Sequence, residues 1–325
     1  MITGRLDVHL SADDLRSTLI ADARQGLTST PKTLPAKYFY DPRGSELFEV
    51  ITALPEYYPT RTEEAILARY AAAVVAAAGG PDTLIELGSG SSTKTRLLLE
   101  AMTGTGRLRR YVPVDVSASA LDGALSALAG VYPGLELHGV VADFEAHLDR
   151  LPPADGRLIA FLGSTIGNLD PAERSRFFRA LRAELDPGDA FLLGVDLIKD
   201  ESRLIAAYDD AAGVTADFNR NVLRVLNASL GADFRPEQFD HVARWNAGQE
   251  WMEMALRARH AMTVTLPDLD LRITFAAGED IRTEISAKFR RPGLTAELAT
   301  AGFTLTSWWT DPAGDFALAL SVPDL

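Results

Sequence analysis

The sequence contains no cysteine. That absence excludes disulfide frameworks, thiolate nucleophiles and cysteine-ligated zinc or iron–sulfur sites. Positive charge is also scarce, since 45 Asp and Glu residues outnumber 32 Lys and Arg residues and give a net charge of -13. A surface of that sign repels phosphate backbones and anionic lipid headgroups, so we expect neither nucleic acid nor a membrane as a partner.

Long apolar runs are missing as well. The most apolar stretch, residues 71–78, is far shorter than the roughly 20 residues of a membrane span and is typical of a buried helix. Residues 1–22 carry acidic positions and no continuous apolar core, so we expect no secretory signal. The five histidines include no pair at metal-ligand spacing, so no metal site is predicted. We expect a cytoplasmic, monomeric enzyme.

The chain is long enough, at 325 residues with 47% hydrophobic, for one large or two ordinary domains. From residue 83 onward, short β-rich runs alternate with helical stretches. Several runs are apolar on both faces, as parallel strands covered by helices are. The predicted strands are 83–87, 111–116, 135–141, 158–163 and 190–196. The pattern predicts an α/β fold with a doubly wound, Rossmann-like sheet.

The rhythm changes after residue 196, where one or two helices are predicted over 204–230 and β-rich stretches follow. The segment up to residue 60 shares this irregular character. We therefore expect a second, smaller α+β substrate lobe that closes over the carboxyl edge of the sheet, where ligands usually bind. The predicted division is residues 62–198 plus 288–325 for the first domain, and residues 1–61 plus 199–287 for the lobe.

A glycine loop follows the first predicted strand. Glu86, Gly88 and Gly90 match the acidic-x-Gly-x-Gly spacing of loops that bind S-adenosylmethionine (SAM), and the bare backbone admits a ligand closely. Two other ligand classes match less well. Thr93 stands where a dinucleotide fingerprint has its third glycine, and a P-loop would have a glycine directly before Lys94.

Residues at the next strand ends favour the SAM interpretation. Asp115 ends the second strand, where a carboxylate can accept both ribose hydroxyls. Asp143 and Phe144 end the third and place an acceptor for the adenine amino group beside an apolar ring. Asn168 follows the fourth, at the position that faces the transferable methyl, and its neutral amide can orient an amino-acid acceptor. Each residue alone is explained at least as well as a turn or strand end, so the prediction rests on the set.

The predicted lobe offers a second group of polar residues. Residues 283–289 alternate polar and apolar side chains, so strand geometry would place Glu284 and Ser286 on one face. A carboxylate beside a hydroxyl can hold an imidazole or another N–H donor, although a solvated strand face has the same pattern. Tyr57 and Tyr58 lie in an extended stretch before Pro59, where one of them can reach a ligand or both can simply pack.

Longer strings are more specific than a glycine loop. They are KYFYD at 37–41, LPEYYPTRTE at 54–63, ELGSG at 86–90, FLGSTIGN at 161–168, YDDAAGVT at 208–215 and FNRN at 218–221. With these strings the chain resembles, over nearly its whole length, the L-histidine Nα-methyltransferases of ergothioneine biosynthesis, which are SAM-dependent enzymes that make hercynine. The resemblance implies a class I methyltransferase sheet that binds SAM, with L-histidine bound by the lobe.

The resemblance also implies roles for individual residues. The implied SAM contacts are Tyr40, Gly88, Lys94, Asp115, Asp143 and Phe144. The implied histidine contacts are Tyr57, Gly163, Asn168, Tyr208, Met254, Glu284 and Ser286. Glu284 and Ser286 would hold the imidazole, and their joint presence favours histidine over tryptophan or tyrosine. Asn168 and Tyr208 would hold the amino-acid end.

The implied reaction is three successive methyl transfers from SAM to the α-amino nitrogen of L-histidine, without a metal. Its catalytic residues by the resemblance are Tyr40, Gly163 and Asn168, with Tyr40, the Gly163 carbonyl or a water as relay for the amine proton. Two hypotheses of other classes stay open. A P-loop nucleotide hydrolase would bind ATP at Lys94, and a non-enzymatic SAM sensor would bind SAM and methylate nothing.

Overall fold

The computed structural model describes residues 4–90 and 94–324. Thr93, which argued against a dinucleotide site, lies outside the described residues. The strands, in chain order, are β1 (Gly4–Val8), β2 (Lys32–Thr33), β3 (Thr83–Leu87), β4 (Arg110–Asp115), β5 (Glu136–Val141), β6 (Arg157–Phe161), β7 (Ala190–Asp196), β8 (Phe239–Asn246), β9 (Trp251–Ala258), β10 (Met262–Leu266), β11 (Leu271–Phe275), β12 (Asp280–Ala287), β13 (Phe303–Thr310) and β14 (Phe316–Pro323).

The helices, in chain order, are α1 (Ala12–Thr28), α2 (Pro42–Thr52), α3 (Pro59–Ala77), α4 (Arg96–Gly104), α5 (Ala118–Ala129), α6 (Pro171–Ala183), α7 (Glu201–Tyr208), α8 (Val214–Leu230) and α9 (Arg291–Thr300). In the described stretches, none of them combines the length and the apolar character needed to cross a membrane.

The chain divides into two compact units. The first comprises the described residues up to Ser11, Arg61–Leu197, and those from Phe289 onward. It contains an eight-stranded sheet with the order β1-β5-β4-β3-β6-β7-β14-β13. The pairs from β1 to β7 are parallel, whereas β14 runs antiparallel to both β7 and β13. The predicted α/β, doubly wound fold is confirmed.

The strand order of this sheet defines where a ligand can bind. From β3 the chain runs outward through β4 to β5, and then returns to β6 on the other side of β3. Ligands of such sheets bind beyond the carboxyl ends of the strands at that reversal. The loops that follow Leu87 and Phe161 therefore occupy the position of a ligand site.

The strands on either side of the reversal are buried along their whole length, which explains their continuous apolar sequences. A few charged side chains interrupt them, among them Arg157. Arg157, at the start of β6, donates from Nε to Asp189 at 2.9 Å, and both side chains are almost fully buried. Asp189 also accepts from the backbone N–H of Arg157 at 2.7 Å. This pair fixes the start of β6 against the loop before β7.

The second unit comprises Ala12–Thr60 and Ile198–Lys288. It contains a four-stranded sheet with the order β2-β12-β9-β8 and a hairpin of β10 and β11. The helices α2 and α8 pack against each other. Its core is apolar and rich in aromatic rings, among them Phe39, Phe218, Phe239 and Phe275.

One part of the predicted division is wrong. We expected residues 1–61 in the second lobe, but the structure places the described residues up to Ser11 in the first unit. The reason is strand β1, which pairs in parallel with β5 from Gly4–Leu137 to Val8–Val141. Elsewhere the boundaries shift by one residue, so that Arg61 belongs to the first unit and Ile198 and Lys288 to the second.

The Arg157–Asp189 pair generates a stability prediction. Replacing Asp189 by alanine removes the buried counter-charge of Arg157, so we expect Asp189→Ala to lower the free energy of unfolding by about 3 kcal/mol in urea denaturation. Asp186→Ala is the matched control, because Asp186 lies 3.6 Å from the same guanidinium but is 81% exposed. We expect its effect to stay below about 0.5 kcal/mol. Equal effects of the two variants would contradict the assignment.

Candidate functional site

Two glycines begin the loops at the strand reversal. Gly88 follows β3 with φ +65°, and Gly163 follows the β6 region with φ +77°, so both occupy the left-handed region that favours glycine. A Cβ at Gly88 would meet the rings of Phe144 and Phe161 only at 4.0 Å, so the backbone conformation and not crowding requires glycine there. The backbone N–H of Gly88 donates to the Val114 carbonyl at 2.8 Å, which closes the loop onto β4.

Asp115 lies at the carboxyl end of β4, as the sequence predicted. One of its oxygens accepts from the Gly90 N–H at 3.0 Å, and the other from the Ser117 N–H at 2.9 Å. Burial raises the pKa of Asp115, against the effect of these backbone donors. The carboxylate therefore joins the glycine loop to the start of α5 and is desolvated, as a ligand-facing acid would be.

Asp143 and Phe144 follow β5 by two and three residues. Asp143 Oδ1 accepts from the Glu145 N–H at 2.9 Å, which forms a turn. The Phe144 ring lies 4.9 Å from the ring of Phe161 and 6.1 Å from that of Phe177. An acidic turn therefore adjoins a cluster of aromatic rings, which is the pairing expected for an adenine.

Lys94 pairs with a residue that the sequence analysis did not single out. Glu63, on α3, is fully buried and accepts from the Lys94 ammonium. The same carboxylate accepts from the Gly163 N–H, at 2.8 Å to Oε1 and 3.0 Å to Oε2. Gly194 on β7 leaves room for the Glu63 carboxylate, because a Cβ at this position would lie 2.0 Å from Glu63 Oε1. Glu63 thus holds together the end of the glycine loop and the loop after β6.

A second buried acid lies at the end of β3. Glu86 accepts hydrogen bonds from the hydroxyls of Thr95 and Tyr111. Burial raises the pKa of Glu86 from its ordinary 4.5 to about 7, although both hydroxyls and the nearby Lys94 charge favour ionisation. The acid of the glycine-loop motif is therefore an internal group that fixes the start of α4, and not a surface ligand.

Asn168 ends a short 3₁₀ turn, Thr165–Asn168, that follows Gly163. The turn begins at Ser164, which has a positive φ of 58° and accepts from the Asp196 N–H through its hydroxyl at 2.9 Å. The backbone N–H of Gly167 donates back to the Ser164 carbonyl at 2.9 Å. These bonds give the partly buried Asn168 a fixed place beyond the end of β6.

The predicted imidazole pair lies on β12 of the second unit, with both residues on one face of the strand. Met254 on β9 is paired with Glu284 in the antiparallel register. Tyr208, the last residue of α7, donates from Oη to Ser286 Oγ at 2.7 Å. Burial raises the pKa of Glu284 to about 7, and the charge of Lys288 opposes that rise.

The two remaining tyrosines belong to an aromatic cluster in the same unit. The Tyr40 ring packs edge-to-face on Phe48 and Phe218, each at 5.5 Å. The Tyr57 ring lies 6.0 Å from Phe48 in the same manner. Tyr40 is 40% exposed although its ring packs on two others.

The predicted site residues fall into two groups. The first unit holds Gly88, Lys94, Asp115, Asp143, Phe144, Gly163 and Asn168. The second unit holds Tyr40, Tyr57, Tyr208, Met254, Glu284 and Ser286. In the part of the chain that the structure describes, no three or more His, Cys, Asp or Glu side chains cluster as metal ligands would.

The comparison with known proteins assigns the family. The sequence model described as histidine-specific methyltransferase, SAM-dependent, matches residues 19–323. The chain belongs to this family. It is 56% identical to the histidine N-alpha-methyltransferase of Mycolicibacterium smegmatis over 97% of this chain and 98% of that protein. Identity to the enzyme of the same name from Mycobacterium tuberculosis is 53%, over 96% of this chain and 97% of that protein.

Among solved structures, the chain resembles the CcbJ methyltransferase of Streptomyces caelestis, with 16% identity and a TM-score of 0.45 over 79% of this chain and 95% of that one. Membership in the histidine-specific family makes the protein a SAM-dependent methyltransferase and decides against the P-loop hydrolase hypothesis. The matched range spans nearly all of both units, so the family assignment covers both groups of site residues.

The buried Glu86 generates a pH prediction. Between pH 4.5 and about 7 the unfolded chain releases this proton while the folded protein keeps it, so the free energy of unfolding falls as pH rises. We expect wild type to lose about 2–3 kcal/mol more than Glu86→Gln between pH 5 and pH 8 in urea titrations. Glu64→Gln, at the exposed neighbour of Glu63, should keep the wild-type slope. A wild-type slope in Glu86→Gln would disprove the raised pKa.

Proposed function

We propose that the protein transfers three methyl groups in succession from SAM to the α-amino nitrogen of L-histidine, giving hercynine and S-adenosylhomocysteine in ergothioneine biosynthesis. The observation that carries the proposal is the partly buried polar face of β12, which holds Glu284 and Ser286, with Tyr208 bonded to Ser286. A carboxylate and a hydroxyl at this spacing suit the two nitrogens of an imidazole and leave an indole or phenol ring incompletely paired.

The proposed cofactor contacts in the first unit fit SAM chemically. Gly88 offers bare backbone, Asp115 offers a desolvated carboxylate for ribose hydroxyls, and Phe144 offers an aromatic wall for adenine. Asp143 would accept from the adenine amino group. When bound, SAM supplies a methyl group already activated by its sulfonium. The remaining contribution of the protein is alignment and exclusion of water.

The positions of Lys94 and Gly163 follow from Glu63. Glu63 holds the Lys94 ammonium and the Gly163 N–H, which fixes the backbone that leads to the Gly163 carbonyl. We propose that this carbonyl and the Asn168 amide orient the amino-acid end of the substrate, together with Tyr208. Tyr57 and Met254 would complete the contacts to histidine.

The α-amine of a free amino acid is mostly protonated at neutral pH and must lose a proton before each transfer. We propose Tyr40, the Gly163 carbonyl or a water as the relay. The edge-to-face packing of Tyr40 on Phe48 and Phe218 holds its ring without covering it. Aromatic faces also tolerate the growing positive charge of a methylated amine. The proposal places the enzyme in the cytoplasm as a monomer.

Product analysis tests the proposed function directly. The purified protein is incubated with SAM and each common amino acid, and products are followed by mass spectrometry. We expect histidine alone to gain three methyl groups. A preference for tryptophan or tyrosine would disprove the acceptor assignment, and binding of SAM without any methylated product would favour the sensor hypothesis.

The ribose assignment gives a prediction for the cofactor. We expect Asp115→Ala to weaken SAM binding by about 10- to 100-fold in calorimetry, because hydrogen bonds to a charged acceptor are lost. Asp122→Ala, which changes an exposed aspartate on α5, is the control and should bind SAM normally. Normal affinity in Asp115→Ala would remove this residue from the ribose site.

The imidazole assignment gives a prediction for the acceptor. We expect Glu284→Ala to lower kcat/KM for histidine by at least about 100-fold while SAM affinity is retained, because the ring N–H loses its acceptor. The control is Glu279→Ala, which removes a carboxylate from the same unit that pairs with Lys32. Unchanged histidine kinetics in Glu284→Ala would refute the role.

A further inference from the structure

A buried lysine lies beside the proposed imidazole site and has no role in the function described so far. Lys288 directly follows β12 and shares a face with Glu284 and Ser286, because side chains alternate along an extended chain. Lys288 is only 3% exposed. Burying an ammonium group costs free energy unless hydrogen-bond partners compensate for the lost water. The partners of Lys288 are therefore informative about its role.

The ammonium of Lys288 joins two hydroxyls of the site. Its Nζ donates to Tyr208 Oη and to Ser286 Oγ, each at 2.8 Å, and lies 4.8 Å from the centre of the Tyr208 ring. Tyr208 Oη in turn donates to Ser286 Oγ at 2.7 Å. The three groups therefore form a closed triangle of hydrogen bonds.

The triangle determines which way the Ser286 hydroxyl can point its hydrogen. A serine oxygen accepts two hydrogen bonds and donates one. In the described part of the chain, Ser286 Oγ accepts from Tyr208 and from Lys288, which uses both lone pairs. The group of Ser286 that is left for a further hydrogen bond is its O–H. Towards a ligand, Ser286 can therefore act only as a donor.

Glu284 has the opposite hydrogen-bonding character to Ser286. In its ionised form the carboxylate is an acceptor only, and an N–H donor from a ligand favours that form. A ring that fits both groups must have one protonated and one unprotonated nitrogen. Neutral imidazole meets this condition. Imidazolium, with two N–H donors, would direct one of them at the saturated Ser286 oxygen and towards the Lys288 charge.

We propose that Lys288 is a positioning residue that saturates Ser286 as an acceptor and thereby sets the site for the neutral imidazole ring, protonated at the nitrogen next to Glu284 and unprotonated at the nitrogen next to Ser286. This inference rests on the proposed function, since it presumes histidine at Glu284 and Ser286. It deepens that function by stating the protonation state of the acceptor ring that the site selects.

Ionisable groups also lie on the elements that carry or contact Tyr208. His241 on β8 bonds through Nε2 to the Tyr208 carbonyl at 2.8 Å, and burial lowers its pKa. Asp209 lies 4.0 Å from that ring, and Asp210 accepts from backbone N–H groups at the start of α8. Because these ionisable groups lie nearby, the test must report on the substrate ring itself.

Nitrogen-15 NMR of ring-labelled L-histidine bound to the whole protein with S-adenosylhomocysteine provides that report. At pH 6, below the free ring pKa of about 6.5, we expect wild type to hold the ring with one protonated and one unprotonated nitrogen. Lys288→Met keeps the stem of the side chain and removes its charge and donors. We expect this variant to bind the ring as imidazolium, with affinity at pH 8 reduced at least about tenfold.

Three further variants complete the experiment. Lys288→Arg restores a charged donor and should restore the neutral ring signature. Tyr208→Phe removes the other donor to Ser286 and should shift the ring in the same direction as Lys288→Met, which keeps the test available if that variant does not fold. Lys32→Met removes another lysine of the second unit, the partner of Glu279, and should leave the signature unchanged.

The possible results distinguish failure of the proposed Lys288 role from failure of the proposed function. A doubly protonated ring in wild type that is still methylated overturns the role of Lys288 and leaves the proposed function intact. A wild-type signature and affinity in Lys288→Met also overturns it. Wild type that binds no histidine contradicts the proposed function itself.

Discussion

The carboxylate of Glu63 is fully buried, and a buried charge must be neutralised where it lies. Its partners are the Lys94 ammonium and the Gly163 N–H, one at the end of the glycine loop and one beyond β6. A single group therefore fixes both loops at the strand reversal of the large sheet. The requirement extends to Gly194 on β7, because any side chain there would overlap the carboxylate. The geometry of the proposed cofactor site thus depends on the contacts of Glu63 with Lys94 and Gly163.

The second unit also contains a buried charged side chain that is hydrogen-bonded to residues of the proposed site, but its charge is positive. Lys288 is a buried cation whose hydrogen bonds converge on Tyr208 and Ser286. In both units a buried charge is satisfied by groups that are themselves proposed to contact a ligand, so the ligand-facing atoms have little freedom to rotate. Such pre-organisation is what methyl transfer needs, because the methyl group is already activated and the protein contributes mainly alignment.

Sequence patterns identified the parts of the molecule that obey simple periodicities. The strands β3, β6 and β7 were predictable because parallel strands buried on both faces are continuously apolar, and Asp115 was predictable because it ends such a strand. Strand β1 was missed, since its residues are largely exposed and only pairing with β5 defines it. Glu63 was missed, because its local sequence does not distinguish it from an exposed helical carboxylate such as Glu64. Lys288 continues the alternation of Glu284 and Ser286, so its place on that face was available from the sequence.

The most direct test of the central claim is a crystal structure of the protein with S-adenosylhomocysteine and L-histidine. We expect the ribose hydroxyls to contact Asp115, and the two imidazole nitrogens to lie within hydrogen-bond distance of Glu284 and Ser286 respectively. An imidazole ring that contacts neither residue, or a ribose bound away from Asp115, would contradict it.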